Sequence, residues 1–235
     1  READFVVLPT GSFEQHGLHL PLLTDSIRAE YLSEELARRA WERGIRVLLL
    51  PVLCFGVSEH HMRFPGTVTL RPETYVEVVV DVGRSLSRHG VRRLVVLNFH
   101  GGNRAPLELA VARLRAEVGI DAYLIHWTSV ARDAIQELLQ PAEPWGHACE
   151  YETSMVMLFR PELVRVGKAR RPTVSQATRA VREAGGFVYF DEYSDTGGLG
   201  DPTRADPGKA REVVRRATDK IVELLERLLA ARRTG

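Results

Sequence analysis

Short apolar runs alternate with longer amphipathic patterns along the first half of the chain, and this alternation constrains the fold more than any other feature of the sequence. Four runs rich in Val, Leu and Ile have the length of strands, at residues 5–8, 47–53, 94–97 and 122–125. Continuous apolar strands joined by helical segments form parallel sheets whose two faces are both covered. The order of the segments therefore predicts an α/β fold.

Helices are predicted where apolar residues recur every three or four positions. The predicted bounds are residues 26–43, 72–89, 105–118, 147–159 and 211–232. Residues 185–206 are rich in Gly, Asp and Thr and are predicted to form a long loop. The 235 residues contain no linker or internal repeat, and their number suits one core, so we expect a single domain spanning residues 1–235.

Charge and cysteine content exclude several classes of protein. The formal net charge is +1, which offers no overall attraction for nucleic acid or for an anionic membrane. The apolar runs are far shorter than the ~18 residues of a membrane-spanning helix, and no secretory leader pattern opens the sequence. Cys54 and Cys149 cannot form a disulfide framework, which favours a reducing compartment. We therefore expect a cytoplasmic protein with no nucleic-acid or membrane partner.

Histidines are concentrated just after the predicted strands. Five of the eight follow three strand ends closely: His16, His19, His60, His61 and His100. Because ligands of parallel sheets bind beyond the carboxyl ends of the strands, we expect a functional site at this edge. The Rossmann glycine motif and the lysine of a phosphate-binding loop are both absent from the sequence, which disfavours a nucleotide site.

The segment after the first strand has the residue types of a metal site. Glu14 and His16 point to the same side if this segment is extended, and Asp25 follows near the start of the first predicted helix. Asp25 also fits a second interpretation, that of a helix N-cap. Histidine and carboxylate ligands without thiolate suit Zn²⁺, Mn²⁺ or Fe²⁺, and an Asp free to bridge allows two ions. Such a centre activates a water and polarises a carbonyl, which predicts hydrolysis.

Residues further along the chain extend this prediction but leave alternatives open. His147 and Glu152 would lie roughly 140° apart on one helix, so they can share a site only if His147 lies at or before the helix start. His60 and His61 fit either a site or an exposed loop. Cys149 fits either a ligand or nucleophile, or a small buried thiol.

Seven ordered segments resemble the creatininase (creatinine amidohydrolase) family, and the resemblance covers nearly the whole chain. The segments are LPTGSFEQHG (8–17), LPLLTD (20–25), GVSEHH (56–61), FPGT (64–67), NFHGGN (98–103), HACEYETS (147–154) and GLGDP (198–202). The resemblance implies a three-layer αβα sandwich with a mostly parallel sheet. It also implies assembly into a homo-oligomer such as a hexamer.

The resemblance also implies roles for individual residues. It implies two divalent metal ions per subunit, with Asp25 as the bridging carboxylate and His147 as the catalytic histidine. The implied metal ligands are Glu14, His16, Asp25, His100 and Glu152. Glu150 occupies a position where the family varies and ranks behind Glu152 as a ligand. The implied substrate contacts are His60, His61, Gly101 and Trp145.

The activity implied by the resemblance is metal-dependent hydrolysis of a C–N amide bond in a small substrate, by a hydroxide that bridges the two metals. The family also contains deformylases that act on formamides and a peptidase that matures mycofactocin, and both are alternatives. Creatininase carries a Tyr and an acidic residue where this chain has Gly101 and Gly102, and its substrate-stacking Trp is out of register with Trp145. These differences disfavour creatinine as the substrate. Outside this class, the alternative is a non-catalytic metal-binding protein on the same scaffold.

Overall fold

The computed structural model describes residues 3–231, and within them four strands alternate with eight α-helices. The strands are β1 (Phe5–Thr10), β2 (Val47–Leu49), β3 (Arg93–Asn98) and β4 (Asp121–His126). The helices are α1 (Thr24–Glu42), α2 (Pro72–Arg88), α3 (Arg104–Arg113), α4 (Trp127–Leu138), α5 (Glu150–Phe159), α6 (Gln176–Glu183), α7 (Phe190–Tyr193) and α8 (Pro207–Ala230). None of the described helices is both long and apolar enough to cross a membrane.

The four described strands form one parallel sheet in the order β2-β1-β3-β4. Strand β1 pairs with β3 through registers such as Leu8 with Val96, and β3 pairs with β4 through Leu97 with Ile125. Because the strands all run in the same direction, their carboxyl ends lie along one edge of the sheet. The predicted parallel sheet is confirmed, and its two central strands, β1 and β3, both end at that edge.

Side chains alternate between the two faces of the sheet and build two cores. Phe5 and Val7 of β1 pack with α1, α4, α5 and α8, whereas Val6 and Leu8 pack with α2 and α3 on the other face. All four side chains are buried. This arrangement is the three-layer αβα sandwich that the resemblance implied, and the apolar runs are explained by burial on both faces.

The second strand is shorter than predicted. Strand β2 ends at Leu49 rather than at residue 53, because the next residue of β1 that would donate to it, Pro9, has no N–H. The chain still follows β1: the N–H of Leu50 donates to the carbonyl of Val7, and that of Leu53 to the carbonyl of Pro9, both at 2.9 Å. This extension delivers the following segment to the carboxyl edge of the sheet.

The C-terminal third contains more helix than the sequence predicted. Helices α4 and α6 were not predicted, and α7 lies within residues 185–206, which were predicted to be loop. Four residues are too few to show a helical period, and α7 is held by packing of Phe190 and Tyr193 with Leu199. The helix predicted over 105–118 ends at Arg113 and continues as a π-helical turn.

Helix α8 begins one turn earlier than the predicted residue 211. The N-cap is Asp206, whose Oδ1 accepts a hydrogen bond from the N–H of Lys209 at 3.0 Å. Pro207 is well suited to the first helical position because its missing N–H would have no partner there. The predicted last residue, Arg232, lies outside the described residues.

Candidate metal centre

A cavity of about 420 Å³ opens at the carboxyl edge of the sheet. Nine of the ten residues predicted for the site line it: Glu14, Asp25, His60, His61, His100, Gly101, Trp145, His147 and Glu152. The tenth, His16, is buried and contacts Asp25 and Glu152. The structure therefore brings together side chains from four separate parts of the chain.

Glu14 and His16 follow β1 and are both buried. His16 Nδ1 lies 3.1 Å from the backbone carbonyl of Glu14 and donates to it, so its Nε2 is the ring nitrogen that faces the cluster. That Nε2 and both carboxylate oxygens of Glu14 are buried without a hydrogen-bond partner. Buried polar atoms almost always have a partner, so these three atoms mark a place where a further group belongs.

His100 presents its other ring nitrogen to the same place. The backbone carbonyl of Val57 accepts a hydrogen bond from His100 Nε2 at 3.0 Å, which leaves Nδ1 as the ring nitrogen that faces the cluster. Nδ1 lies 3.2 Å from Glu14 Oε1 and 3.2 Å from Asp25 Oδ2. A hydrogen bond from the outer nitrogen is the usual means of orienting a histidine towards a metal.

Asp25 lies between the two histidines. Its Oδ1 is 3.5 Å from His16 Nε2, and its Oδ2 is 3.2 Å from His100 Nδ1. Ser12 Oγ donates to Oδ2 at 2.7 Å and fixes the carboxylate plane. The N-cap interpretation of Asp25 is wrong, because Leu23 is the N-cap of α1 and Asp25 lies in the first turn. One oxygen of Asp25 therefore faces each of the two histidines.

The two glutamates in the first turn of α5 face in different directions. The helix begins at Glu150, so His147 precedes it and can share a site with Glu152. Glu152 Oε2 is 3.6 Å from His16 Nε2 and accepts a hydrogen bond from the N–H of Ala148 at 2.7 Å. Glu150 points elsewhere, and its Oε1 accepts from the N–H of Ala142 at 2.7 Å. Glu150 therefore holds the loop that precedes Trp145 rather than facing the cluster.

A buried arginine that the sequence did not reveal balances part of the negative charge. The guanidinium of Arg28 pairs with both Asp25 and Glu152, and it donates to the hydroxyl of Tyr151 at 2.7 Å. Arginine is rarely buried unless it is paired. The available signal was its position three residues after Asp25 on α1, but that spacing is common on helices.

The charges in the cluster favour a bound cation. Burial opposes ionisation of Glu14, but His100 and His61 outweigh it and lower the pKa of this carboxyl to about 2. Burial likewise opposes charge on His16, but Asp25, Glu152 and Glu14 raise its pKa to about 9. A field that holds a proton so strongly also favours a divalent metal ion.

Three groups of residues could each hold a metal ion. Within each group, one ligand atom from every residue lies within 4.8 Å of the others. The groups are Glu14, His16 and His147; Glu14, His60 and His100; and His16, Asp25 and Glu152. All are oxygen or imidazole nitrogen donors, which suits Zn²⁺, Mn²⁺ or Fe²⁺. Because these donors are buried, convergent and partly unpartnered, the residues fit a divalent metal centre.

The wall of the cavity is formed by stacked rings. His61 packs against His147 and Phe190, with ring centroids 4.3 Å and 4.2 Å away. His60 stacks on His100 at 5.6 Å. Both histidines of the pair 60–61 line the cavity, so the interpretation of this pair as an exposed loop is wrong.

Gln15 orients two of these rings and was not predicted. Its Nε2 donates to His61 Nδ1 at 2.7 Å, which makes His61 Nε2 the protonated nitrogen, facing Glu14 at 3.4 Å. Its backbone carbonyl accepts from His147 Nε2 at 2.8 Å. Burial and the neighbouring His16 keep the pKa of His147 well below its usual value, so its free Nδ1 is unprotonated.

His126, the last residue of β4, also lines the cavity. Its Nδ1 accepts a hydrogen bond from Asn98 Nδ2 at 3.0 Å. Burial, with Arg28, lowers the pKa of His126 to about 4, so the ring is neutral. Arg182 and Phe190 line the same cavity, and they come from the segments in which α6 and α7 were not predicted.

Cys149 is a buried thiol of the main core, and we expect it to be unreactive. Burial raises its pKa to about 12, so almost no thiolate exists near neutral pH. A thiol reagent at pH 8 should label the half-buried Cys54 in the native protein and leave Cys149 unlabelled until unfolding. Mass spectrometry of wild-type protein and of Cys54→Ser measures this. Rapid labelling of native Cys54→Ser would instead support a reactive role for Cys149.

A parallel αβα sandwich with carboxylates and histidines at its carboxyl edge matches one known family. The family model for creatininase, described as creatinine amidohydrolase, matches residues 1–225. The chain therefore belongs to the creatininase family. As a member of this family, it is a hydrolase that acts on C–N bonds.

Two curated relatives cover most of the chain. The mycofactocin precursor peptide peptidase of Mycobacterium tuberculosis (strain CDC 1551 / Oshkosh) is 33% identical over 230 residues, covering 94% of this chain and 84% of that protein. The creatinine amidohydrolase of Pseudomonas putida is 31% identical over 222 residues, covering 78% of this chain and 83% of that protein. The two relatives have different activities at similar identity.

Solved structures share the fold. A crystal structure from Bacteroides fragilis NCTC 9343, assigned as a creatinine amidohydrolase, superposes with a TM-score of 0.86 at 29% identity. It covers 96% of this chain and 90% of that one. A creatininase structure designated Mn has a TM-score of 0.77 at 25% identity, covering 95% of this chain and 90% of that one.

Gly102 has no room for a side chain. A Cβ at this position would overlap the backbone carbonyl of Val57 and crowd the rings of His100 and His60. The backbone here would have to move before an acidic residue could be accommodated. The packing of this cavity wall therefore requires Gly102 at the position where creatininase carries an acidic residue.

Proposed function

We propose that this protein is a binuclear metal-dependent amidohydrolase. The observation that carries the proposal is the set of buried atoms without hydrogen bonds, His16 Nε2 and the two oxygens of Glu14, on either side of Asp25. Asp25 offers one oxygen towards His16 and the other towards His100. Buried polar atoms are normally hydrogen-bonded, so three unpartnered ones converging on one place favour a bound ligand there.

The proposed ligands divide into two groups that share Asp25. His16 and Glu152 lie on the side of Oδ1, and Glu14 and His100 lie nearer Oδ2. The donor types suit Zn²⁺, Mn²⁺ or Fe²⁺, and the abundance of each ion in the cell decides among them. When bound, two such ions supply an activated water and polarise the amide carbonyl of the substrate.

His147 is the proposed proton carrier. The hydrogen bond from its Nε2 to the carbonyl of Gln15 holds the ring and leaves Nδ1 free to take up a proton. As the C–N bond breaks, His147 Nδ1 delivers a proton to the departing nitrogen, while the hydroxyl group from water stays on the carbonyl carbon. His60 and His61 form the wall against which the substrate packs, with Trp145 also lining the cavity.

A small amide is the proposed substrate. The cavity of about 420 Å³ accommodates a small molecule or the end of a peptide, and a Cβ at Gly101, which lines it, would meet no other atom within 4 Å. The relative named as a peptidase makes a short peptide the first alternative, and a formamide is the second. A panel of formamides, cyclic amides and short peptides, assayed with metal-loaded protein, distinguishes the three.

Removal of the metal should lower both activity and stability. In the metal-free protein the buried carboxylates repel each other, and Arg28 is the one arginine among the described residues that pairs with them. EDTA treatment should therefore lower the melting temperature. Ligand linkage gives about 4 kcal/mol of stabilisation when the free metal is 1,000 times its dissociation constant. Scanning calorimetry and elemental analysis after reconstitution measure this, with two ions per chain expected. Fewer than one ion per chain would contradict the binuclear proposal.

The competing function is that of a non-catalytic metal-binding protein. It predicts stoichiometric metal with no hydrolysis of any member of the panel. The presence of His147 beside the ligand cluster favours catalysis, because a purely metal-binding protein has no use for an oriented, neutral histidine there. Assembly into a homo-oligomer and a cytoplasmic location stay predictions from the sequence.

A further inference from the structure

One basic side chain in the cavity has no acidic partner. Arg182 of α6 is the one Arg or Lys among the described residues that line the cavity, and it forms no ion pair with any residue between 3 and 231. Arg179, three residues earlier on the same helix, pairs with Glu183 at 2.8 Å. The arginines of this short helix are therefore not equivalent: one is neutralised on the surface, and the other faces the cavity.

Aromatic packing holds Arg182 in place and leaves its polar edge free. The guanidinium carbon lies 5.0 Å from the ring centroid of Phe190 and 4.7 Å from that of Tyr193. Stacking of this kind uses the flat face of the guanidinium. No residue in the described part of the chain accepts a hydrogen bond from its N–H groups. The paired N–H groups of a guanidinium match the two oxygens of a carboxylate.

Phe190 lies between Arg182 and His147, the proposed proton carrier. Phe190, on which the guanidinium lies, also packs against His61 at 4.2 Å and His147 at 5.0 Å. The cation is thus one aromatic ring away from the proposed proton carrier. Helix α6 is held in this place by Thr178, whose hydroxyl donates to the carbonyl of Glu192 at 3.0 Å.

We infer that Arg182 binds a carboxylate of the substrate, so that the preferred substrates are amides with a carboxylate about one aromatic ring's width from the scissile C–N bond. This inference rests on the proposed function. An anionic end held by Arg182 is kept apart from Glu14, Asp25 and Glu152, which places the amide end over the metal centre. Arg182 is a specificity-determining residue in this view.

Matched probes test the inference. The substrates are N-formyl amino acids and dipeptides with a free C-terminal carboxylate, each compared with its C-terminal amide, on metal-loaded protein. Arg182→Gln should raise KM for the carboxylate probes about tenfold, which corresponds to about 1.4 kcal/mol, and change kcat less than about twofold, because the charge-assisted hydrogen bonds to the carboxylate are lost. It should leave the amide probes unchanged. Arg182→Lys should fall between wild type and Arg182→Gln.

Arg179→Gln is the matched control, since it removes an arginine from the same helix without touching the cavity. It should behave as wild type with both probes. The wild-type preference for the carboxylate should also shrink as salt is raised, and that dependence should vanish in Arg182→Gln. If Arg182→Gln raises KM equally for the carboxylate and amide probes, Arg182 has a packing role and the inference is overturned.

Calorimetric titration with the same probes separates this inference from the proposed function. If wild type hydrolyses no probe, the amidohydrolase proposal fails for these substrates. The difference in binding between a carboxylate probe and its amide still decides the role of Arg182. Tighter binding of the carboxylate by wild type, lost in Arg182→Gln, supports the inference. Equal binding of the two probes, or no binding of either, overturns it.

Discussion

Glu152→Gln is expected to lose bound metal and at least about 100-fold in kcat/KM, whereas Glu150→Gln retains its metal. Loss of a residue that merely orients a ligand costs about 10- to 100-fold in metal affinity or activity, so loss of a ligand should cost at least as much. Glu152 faces His16 at 3.6 Å, and the amide replacement keeps its shape but removes the negative charge.

Glu150 is a closely matched control for this substitution. Both glutamates are buried, both lie in the first turn of α5, and they are two residues apart. Glu150 accepts a hydrogen bond from Ala142 N–H and packs beside Gly200 instead of facing the cluster. Elemental analysis counts the metal per chain, and circular dichroism verifies folding. Equal metal loss in the two variants, or full metal in Glu152→Gln, would show that the ligand assignment is wrong.

His147→Ala is expected to lower kcat by about 10²- to 10⁴-fold while the metal content stays at the wild-type level. This range is the usual contribution of one positioned acid–base group. The expected loss follows from the position of His147 before α5, where the carbonyl of Gln15 holds its Nε2 and Nδ1 faces Glu14 Oε1 at 3.6 Å. Without the imidazole, the departing nitrogen has no proton donor in this position.

Metal analysis decides between two roles for His147, since it also belongs to one of the groups that could hold an ion. Retained metal with a large loss of kcat identifies a proton carrier, and partial recovery with added imidazole would strengthen that assignment. Loss of metal would make His147 a ligand, and unchanged activity would favour the non-catalytic alternative. His89→Ala, at the exposed end of α2, serves as the control for removal of a histidine.

Most of the proposed ligands could be located from the sequence because they follow strands. Glu14 and His16 come after β1, and His100 comes after β3, so the parallel order of the strands brings them to one edge. The relation between His147 and Glu152 was also predictable, since helical geometry required the helix to begin after His147. The structure agrees, with α5 beginning at Glu150.

Residues that act through contacts across the fold could not be found in this way. Arg28 is one of many arginines at helical spacing from an acid, and only its burial between Asp25 and Glu152 distinguishes it. Gln15 lies between two predicted ligands, and its polar type alone did not show that it orients His61. Arg182 lies on a helix of eight residues, which is too short for a reliable periodic signal.

The amino-acid sequence by itself determined the parallel sandwich and the edge at which the site lies. Hydrophobic periodicity is a local property, and the order of the strands and the approximate positions of their ends follow from it. Only the tertiary structure decided which oxygen of Asp25 faces which histidine, which glutamate of α5 faces the cluster, and which arginine of α6 faces the cavity. These choices depend on packing between segments that are distant along the chain, such as those of His16 and Glu152, and no spacing in the sequence encodes them.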